Sequence, residues 1–340
     1  MNKTKIKEKF KNFYTAHKKK IFNFLRIIIS VGLIAYLILF KSGFSSFQDF
    51  IETLKTINLI YLFLAILMHI IGIWLSTTRW HILLKTQDVK ISHNYLVSSF
   101  LIGSFFNNIL PTSIGGDVFR AIDISKKANI SGPTSVSVII IDRFSGIITA
   151  AIYAVIALFL GFTKVGTTSY IIPVTVFFVL CIIFAAVILN PHLFRLDKLF
   201  NKMKFLAKIR AKLVETYQTF LSFKKYKLAL FEALLLSFAL QIAVIASYYF
   251  ASKSLEIGLS FESFIFIVPI VSIISFLPIS IGGVGLRENS TVFLMIALGA
   301  AQDKSVTCSI IILAIILAMG LAGAVTYIVR PFIKDKNQLK

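Results

Sequence analysis

Leu110-Pro111-Thr112-Ser113-Ile114-Gly115-Gly116-Asp117-Val118-Phe119-Arg120 returns later in the chain as Leu277-Pro278-Ile279-Ser280-Ile281-Gly282-Gly283-Val284-Gly285-Leu286-Arg287. The shared pattern is LPxSIGGxxxR: seven of eleven positions match, including the Pro, two Gly and the Arg, and the copies lie 167 residues apart in a chain of 340. A duplication at nearly half the chain length marks two structural halves. In both copies Pro and Gly-Gly interrupt an apolar run. A helix broken inside a membrane leaves backbone N–H and C=O groups without partners, which lipid cannot supply. Such a break survives only where protein or a watery cavity surrounds it.

The rest of the chain supplies the membrane. Hydrophobic residues make up 57% and charged residues 15%, against about 45–50% and about 25% in soluble domains. Several apolar runs approach the ~20 residues needed to cross a bilayer, and the alternating strands of an outer-membrane barrel are absent. The fold class is an all-α polytopic membrane protein. Its 36 basic and 15 acidic side chains, a net +21, fit the positive-inside rule and anionic head groups rather than nucleic acid. Cys181 and Cys308 both lie in apolar runs and read as small core residues. With no CxxC pair or Cys/His cluster, no disulfide framework and no metal site is expected. No GxxxxGK[ST] motif occurs, so ATP hydrolysis is not expected, and no cofactor is implied.

Charge bookkeeping sets the topology. Residues 1–20 carry eight lysines and one acid and read as a cytoplasmic segment before an uncleaved first span at 21–40. Further apolar segments lie at 58–78, 95–110, 133–162, 168–189, 228–250, 261–278, 290–300 and 305–329. The 41–57 loop is neutral and reads as external. The loop 79–94 and the segment 190–227, with ten basic and two acidic residues, read as cytoplasmic, as does the tail 331–340. Within 190–227, apolar residues recur at helical spacing between lysines and arginines, as in a basic amphipathic helix on the inner leaflet or a helical connector.

Basic flanks on both sides of the first repeat copy suit a re-entrant hairpin at about 95–125. The second copy suits one from the outer side at about 261–300. The expectation is six full transmembrane helices plus two re-entrant, Pro/Gly-broken hairpins, with both termini inside. Three spans separate the copies, an odd number, so halves 21–162 and 163–330 form an inverted-topology repeat, the architecture of alternating-access transporters.

The motif carries chemistry suited to that architecture. The half-helix after each break points its N-terminal amides at the cavity, a seat for an anion. Arg120 and Arg287 add planar donor forks suited to phosphate. Pro111, Ser113, Gly115, Gly116, Pro278, Ser280, Gly282, Gly283 and Gly285 form the two breaks. Asp142 and Arg143 begin a long span, where ionisable residues point to function or to a local ion pair. Asn108 reads as a cap for freed backbone groups. Glu288 can neutralise Arg287 or bind a cationic group or proton, and Asp117 has no counterpart in the second copy, where Val284 stands. His69 and Gln241 read as interhelical hydrogen bonders. Arg79-Trp80 reads as an interfacial anchor, and His93 as a loop residue.

Together Arg79-Trp80, Asn108-x-Leu110-Pro111, Gly116-Asp117-x-x-Arg120, Asp142-Arg143, Leu277-Pro278 and Gly282-Gly283-x-Gly285-x-Arg287-Glu288 resemble the flippase-type membrane domain of bacterial lysylphosphatidylglycerol synthases, over essentially the whole chain. The resemblance implies a lipid translocator in the bacterial cytoplasmic membrane. About ten polar residues follow the last span, so the expectation is a stand-alone member without the soluble aminoacyltransferase domain.

The leading functional expectation is thus a flippase for a phosphate-containing lipid, aminoacylated or glycosylated lipids included, whose partners are membrane phospholipid and a separate lipid-synthesising enzyme. Arg120 and Arg287 would hold phosphate, and Asp117, Asp142 and Glu288 would manage cationic groups or protons. The competing readings are a membrane-embedded lipid-modifying enzyme, with Asp117, Arg120, Asp142 and Arg143 as a cytoplasmic-face active site, and a scaffold for a lipid-synthesising partner.

Overall fold

The computed structural model describes residues 26, 28–37, 47–110, 114–165, 207–275 and 280–338, and every regular element among them is helical. In chain order they are α1 (Ile28–Leu37), α2 (Phe47–Lys55), α3 (Leu59–Lys85), α4 (His93–Ile109), α5 (Gly115–Ala128), α6 (Gly132–Val165), α7 (Ala207–Ser222), α8 (Lys227–Ser254), α9 (Phe261–Ser275), α10 (Leu286–Ala297) and α11 (Gln302–Gln338). The segment 1–20, the expected span 168–189, residues 21–25, 27 and 38–40, and the break residues Pro111, Thr112, Ser113, Leu277, Pro278 and Ile279 lie outside the described residues.

Local chemistry sets the helix ends. Asn58 caps α3 by accepting from the Ile60 and Tyr61 amides, and Ser92 caps α4 through the Tyr95 amide. Asn129, in the left-handed conformation, closes α5. Pro133 stands at the start of α6, where its missing N–H costs nothing.

Two sets of four helices pack alike. The set α3–α4–α5–α6 matches α8–α9–α10–α11: α3 lies along α8, α4 packs on α11, α9 packs on α6, and the pairs α4/α5 and α9/α10 each fold together as a helical hairpin. Each half thus lends a hairpin arm to the long last helix of the other. The equivalent helices α3 and α8 run antiparallel: the Asn58 N–H donates to the Ser254 carbonyl at 2.8 Å, and Ser247 Oγ donates to the Ala65 carbonyl at 2.9 Å. The hairpin arms have 17, 14, 15 and 12 residues, all below the ~20 that span hydrocarbon.

Among the described residues four helices are long and apolar enough to cross a membrane: Leu59–Lys85, Gly132–Ile156, Lys227–Ser254 and Gln302–Arg330. Their outer faces carry uncovered apolar stripes at helical spacing, such as Leu59, Phe63, Ile70 and Trp74 on α3 and Leu321, Val325 and Ile328 on α11. Water would penalise stripes of that length, and bilayer hydrocarbon does not. The chain is an all-α, multi-pass membrane protein.

Two expectations about elements change. The helix after Asn58 continues to Lys85 rather than stopping at residue 78, because nothing in 79–85 breaks it. Trp80 is fully covered in a cluster with Leu83, Leu96, Ile124 and Phe223, so Arg79-Trp80 is not an interfacial anchor. Of the basic amphipathic segment, α7 is the described part. It docks on α6, with Ser131 Oγ donating to Glu215 at 2.6 Å and Ser137 Oγ to the Thr216 carbonyl at 2.7 Å, as a connector would.

Candidate functional site

Five charged side chains from three helices form one chain of alternating sign. Arg79 on α3 donates through Nε to Asp142 Oδ1 at 2.7 Å, and through Nη1 to Ser237 Oγ of α8 at 2.7 Å. Asp142 on α6 also accepts from Arg120 Nη2 at 3.3 Å. Arg120 on α5 donates through Nη1 to Asp117 Oδ1 at 3.3 Å, and Asp117 accepts from Arg143 Nε at 2.7 Å and Nη2 at 2.9 Å. Arg79, Asp117, Arg120 and Asp142 are all buried. Side-chain exposure of Arg143 is 38%, by far the largest of the five.

Two glycines lie against this cluster. Gly146 of α6 faces the Arg79 guanidinium, where a Cβ would stand at ordinary contact distance, 3.5 Å from Nη1. Gly103 admits the stem of Arg120, where a Cβ would stand 3.1 Å from its Cγ. The Arg120 guanidinium lies 4.0 Å from the Trp80 ring centroid and 4.9 Å from that of Phe100, a cation–π seat that offsets part of its desolvation. Three arginines against two aspartates leave one positive charge. Uncompensated buried charges are costly, and paired ones hold their partners in a fixed register.

The expected phosphate seat at Arg120 is therefore occupied by the protein's own carboxylates. One amide at the start of α5 is engaged too: Gly116 N–H donates to Asn107 Oδ1 at 2.8 Å. Asn107, not Asn108, caps the break. Asn108 points its Nδ2 at the Ile316 carbonyl of α11, at 3.5 Å. Asp142 and Arg143 do not pair with each other; the adjacent residues face different partners. Gly115 and Gly116 are buried at the start of α5.

The second copy is built differently. Arg287 Nε donates to Glu288 Oε1 at 2.8 Å, and Glu288 also accepts the Gly285 N–H, so one carboxylate neutralises the arginine and caps α10. Gly282, Gly283 and Gly285 all have positive φ, of 55°, 79° and 84°. Ser280 is buried, its hydroxyl without a hydrogen bond among the described residues. Asn289 Nδ2 reaches the Leu33 carbonyl of α1 at 2.9 Å.

The two copies meet at Asn107. Its side chain caps the first break, and its backbone carbonyl faces Gly282 of the second so closely that a Cβ there would stand 2.9 Å away. Both interruptions of the repeat thus come together between the halves.

Several residues fall outside the expected site. Arg79 belongs to the cluster, and only the premature end assigned to its helix hid it. Arg330 on α11 pairs with Asp123 at 3.0 Å and stacks 3.8 Å from the Tyr95 ring centroid, while the Tyr95 hydroxyl donates to Asp123 at 3.0 Å. This latch ties α11 to the first hairpin. His93 opens α4 rather than sitting in a loop, with Nε2 3.0 Å from Thr78 Oγ1. Gln241, expected to bond across helices, buries its amide nitrogen without a partner among the described residues. Cys308 is a free, buried cysteine, and Cys181 lies outside the described residues.

A helical membrane protein with two interlocked halves, whose broken repeats meet beside buried ion pairs, is the class that fold and site define. Residues 23–324 match the family described as the lysylphosphatidylglycerol synthase TM region, and the chain belongs to that family. A UPF0104 membrane protein of Pyrococcus horikoshii is 27% identical over 314 residues, covering 84% of this chain and 90% of that one. UPF0104 membrane proteins of Methanothermobacter thermautotrophicus and Methanocaldococcus jannaschii match locally, at 27% over 118 residues and 28% over 123.

Proposed function

We propose that this protein is a translocator that moves a phosphate-bearing lipid between membrane leaflets without changing it covalently. The observation that carries the reading is the meeting of the two broken repeats at Asn107, flanked by the five-residue cluster on one side and the Arg287–Glu288 pair on the other. Irregular backbone at membrane depth is tolerated where it lines a path, and broken repeats meeting between halves are how transporters build one. The antiparallel run of α3 and α8 is the relation that an inverted-topology repeat requires of equivalent helices. In this reading α4–α5 and α9–α10 are re-entrant hairpins dipping in from opposite faces.

Asp117, Asp142 and Glu288 are each held by arginine. That favours a charged lining over the acid–base work of a lipid-modifying enzyme, which needs a proton-transferring group in reach of substrate.

The test is lipid movement. The full chain is reconstituted in phosphatidylcholine vesicles holding a trace of phosphatidylglycerol with a dithionite-sensitive fluorophore on its acyl chain. External dithionite should bleach both leaflets' fluorophore in protein-containing vesicles and only the outer leaflet's share in protein-free ones. Equal bleaching in the two would overturn the reading.

A further inference from the structure

Three chain connections meet at one end of the molecule: 86–92 between α3 and α4, 129–131 between α5 and α6, and 223–226 between α7 and α8. Val89, Ile91, Ile130 and Phe223 from these connections pack into a single apolar cluster with Trp80 and Ile124. That cluster holds the connections together, and with them the charges they carry. Within four residues of the three connections stand seven lysines and one acid, Asp88. The opposite end is built in the same way from 56–58, 255–260 and 298–301, where Ile57, Leu255, Ile257 and Leu298 join the other large cluster. Within the same distance it carries three lysines and four acids. One end is strongly basic and the other is not.

The basic end lies at headgroup depth. Lys85 is the last residue of α3 and Lys227 the first of α8, two helices long and apolar enough to cross the membrane. Their ammonium groups therefore stand where hydrocarbon gives way to lipid phosphate. Lys126 and Lys127 close α5 at the same end, where the mouth of the first hairpin opens. There Lys127 Nζ lies 5.4 Å and Arg330 3.8 Å from the Tyr95 ring centroid, and Asp123 is the carboxylate that Arg330 and the Tyr95 hydroxyl share. Two cations against one carboxylate leave the mouth positive.

We infer that this end of the molecule is a docking surface for anionic glycerophospholipid headgroups, which it gathers around the mouth of the first hairpin. Charge complementarity names the occupant, since lysines beside a membrane surface attract anionic lipid. Depth separates lipid from an acidic protein: these lysines begin and end apolar spans, rather than standing on a domain clear of the bilayer. The surface stands without the translocator reading; its purpose, to supply substrate where the first hairpin opens, rests on that reading.

The test uses the full chain with Cys181→Ser and Cys308→Ser, reconstituted in phosphatidylcholine vesicles. Bimane is attached at Asn94→Cys, beside the lysines, or at Ala301→Cys, at the opposite end; both positions are exposed. Quenching by phosphatidylglycerol with a nitroxide high on its acyl chain is compared with quenching by phosphatidylcholine with the same nitroxide. At Asn94→Cys the anionic lipid should quench about fivefold more effectively, the worth of one lysine beside one headgroup. That preference should fade at about 1 M salt, which screens charges beyond about 3 Å. At Ala301→Cys the two lipids should quench alike. Lys85, Lys90, Lys126, Lys127, Lys225 and Lys227 are all exposed, and changing the six to Gln should erase the preference at Asn94→Cys in protein that inserts normally.

Equal quenching by the two lipids at Asn94→Cys would overturn the inference and leave the lysines to an acidic protein. An equal preference at both ends would reduce it to diffuse attraction by the chain's net charge, and a preference that survives the six glutamines would trace it to other groups; either result overturns it as well. The translocation assay keeps the two ideas apart. A preference at Asn94→Cys without lipid movement removes the translocator and keeps the surface; movement without the preference does the reverse.

Discussion

The two copies of LPxSIGGxxxR share their letters and differ in their physics. In the first, the glycines serve close approach: Gly116 packs on Gly103 so tightly that a Cβ would overlap the Gly103 carbonyl. In the second, close approach at Gly282 and Gly285 is joined by backbone conformation, with positive φ at Gly282, Gly283 and Gly285, a region that costs residues with a Cβ about 1–2 kcal/mol each. The arginines diverge as well. Arg120 is drawn into a network spanning α3, α5 and α6, whereas Arg287 is neutralised by its own neighbour. Duplicated sequence has thus produced one hairpin locked to the body of the protein by charge, and one held by local capping.

That contrast is most easily broken at Asp142. Its carboxylate serves two buried arginines, so Asp142→Leu leaves Arg79 with no carboxylate and Arg120 with Asp117 alone. Removing one partner of a buried ion pair costs about 3–5 kcal/mol, and the variant should accumulate poorly or lose that much in thermal unfolding of the purified protein. The double variant Arg79→Leu/Asp142→Leu should recover part of the loss, since Arg120 keeps Asp117. Wild-type stability in the single variant would mean that the cluster does not hold the first hairpin.

Glycine substitutions come next. Gly116→Ala drives a methyl into the Gly103 backbone, which cannot yield without parting α4 from α5, at a cost of about 2–3 kcal/mol. Gly282→Ala meets the Asn107 carbonyl at 2.9 Å and a φ of 55°, for about 1–2 kcal/mol. Unfolding midpoints should rank the two in that order. The reverse ranking would show that the hairpin arms separate easily and that the second break is the rigid one.

The repeat, the membrane class and the ionisable residues of the motif were legible in the sequence, because each is a local pattern of residue types. Partner choice was not. Arg79 was read as an anchor because hydropathy falls at residue 78, though the seven residues after it hold no Gly or Pro and their helix simply continues. Asn107 and Asn108 are indistinguishable as letters. Rotation about the helix axis, roughly 100° per residue, sends one to the break and the other to α11. Arg120 was read as a free donor fork because nothing in its own segment reveals that Asp142, from the next helix, stands opposite. Pairing across helices depends on packing angle and side-chain reach, which spacing along one chain does not encode.

The smallest expected effect is at Glu288, and it measures how local the second hairpin's restraint is. Glu288→Gln keeps an oxygen that can accept the Gly285 N–H and loses only the charge facing Arg287. Arg287 retains 13% side-chain exposure, so its guanidinium is not left buried without a carboxylate as that of Arg79 would be. The difference between a charge-assisted and a neutral hydrogen bond is about 1 kcal/mol, and the unfolding midpoint should fall by no more than that allows. Glu288→Ala removes the acceptor as well and should cost more than Glu288→Gln by about another 1 kcal/mol, the worth of a lost helix cap. If Glu288→Gln instead matched Asp142→Leu, the second hairpin would also depend on a buried ion pair. The two copies would then be held by the same physics despite their different partners.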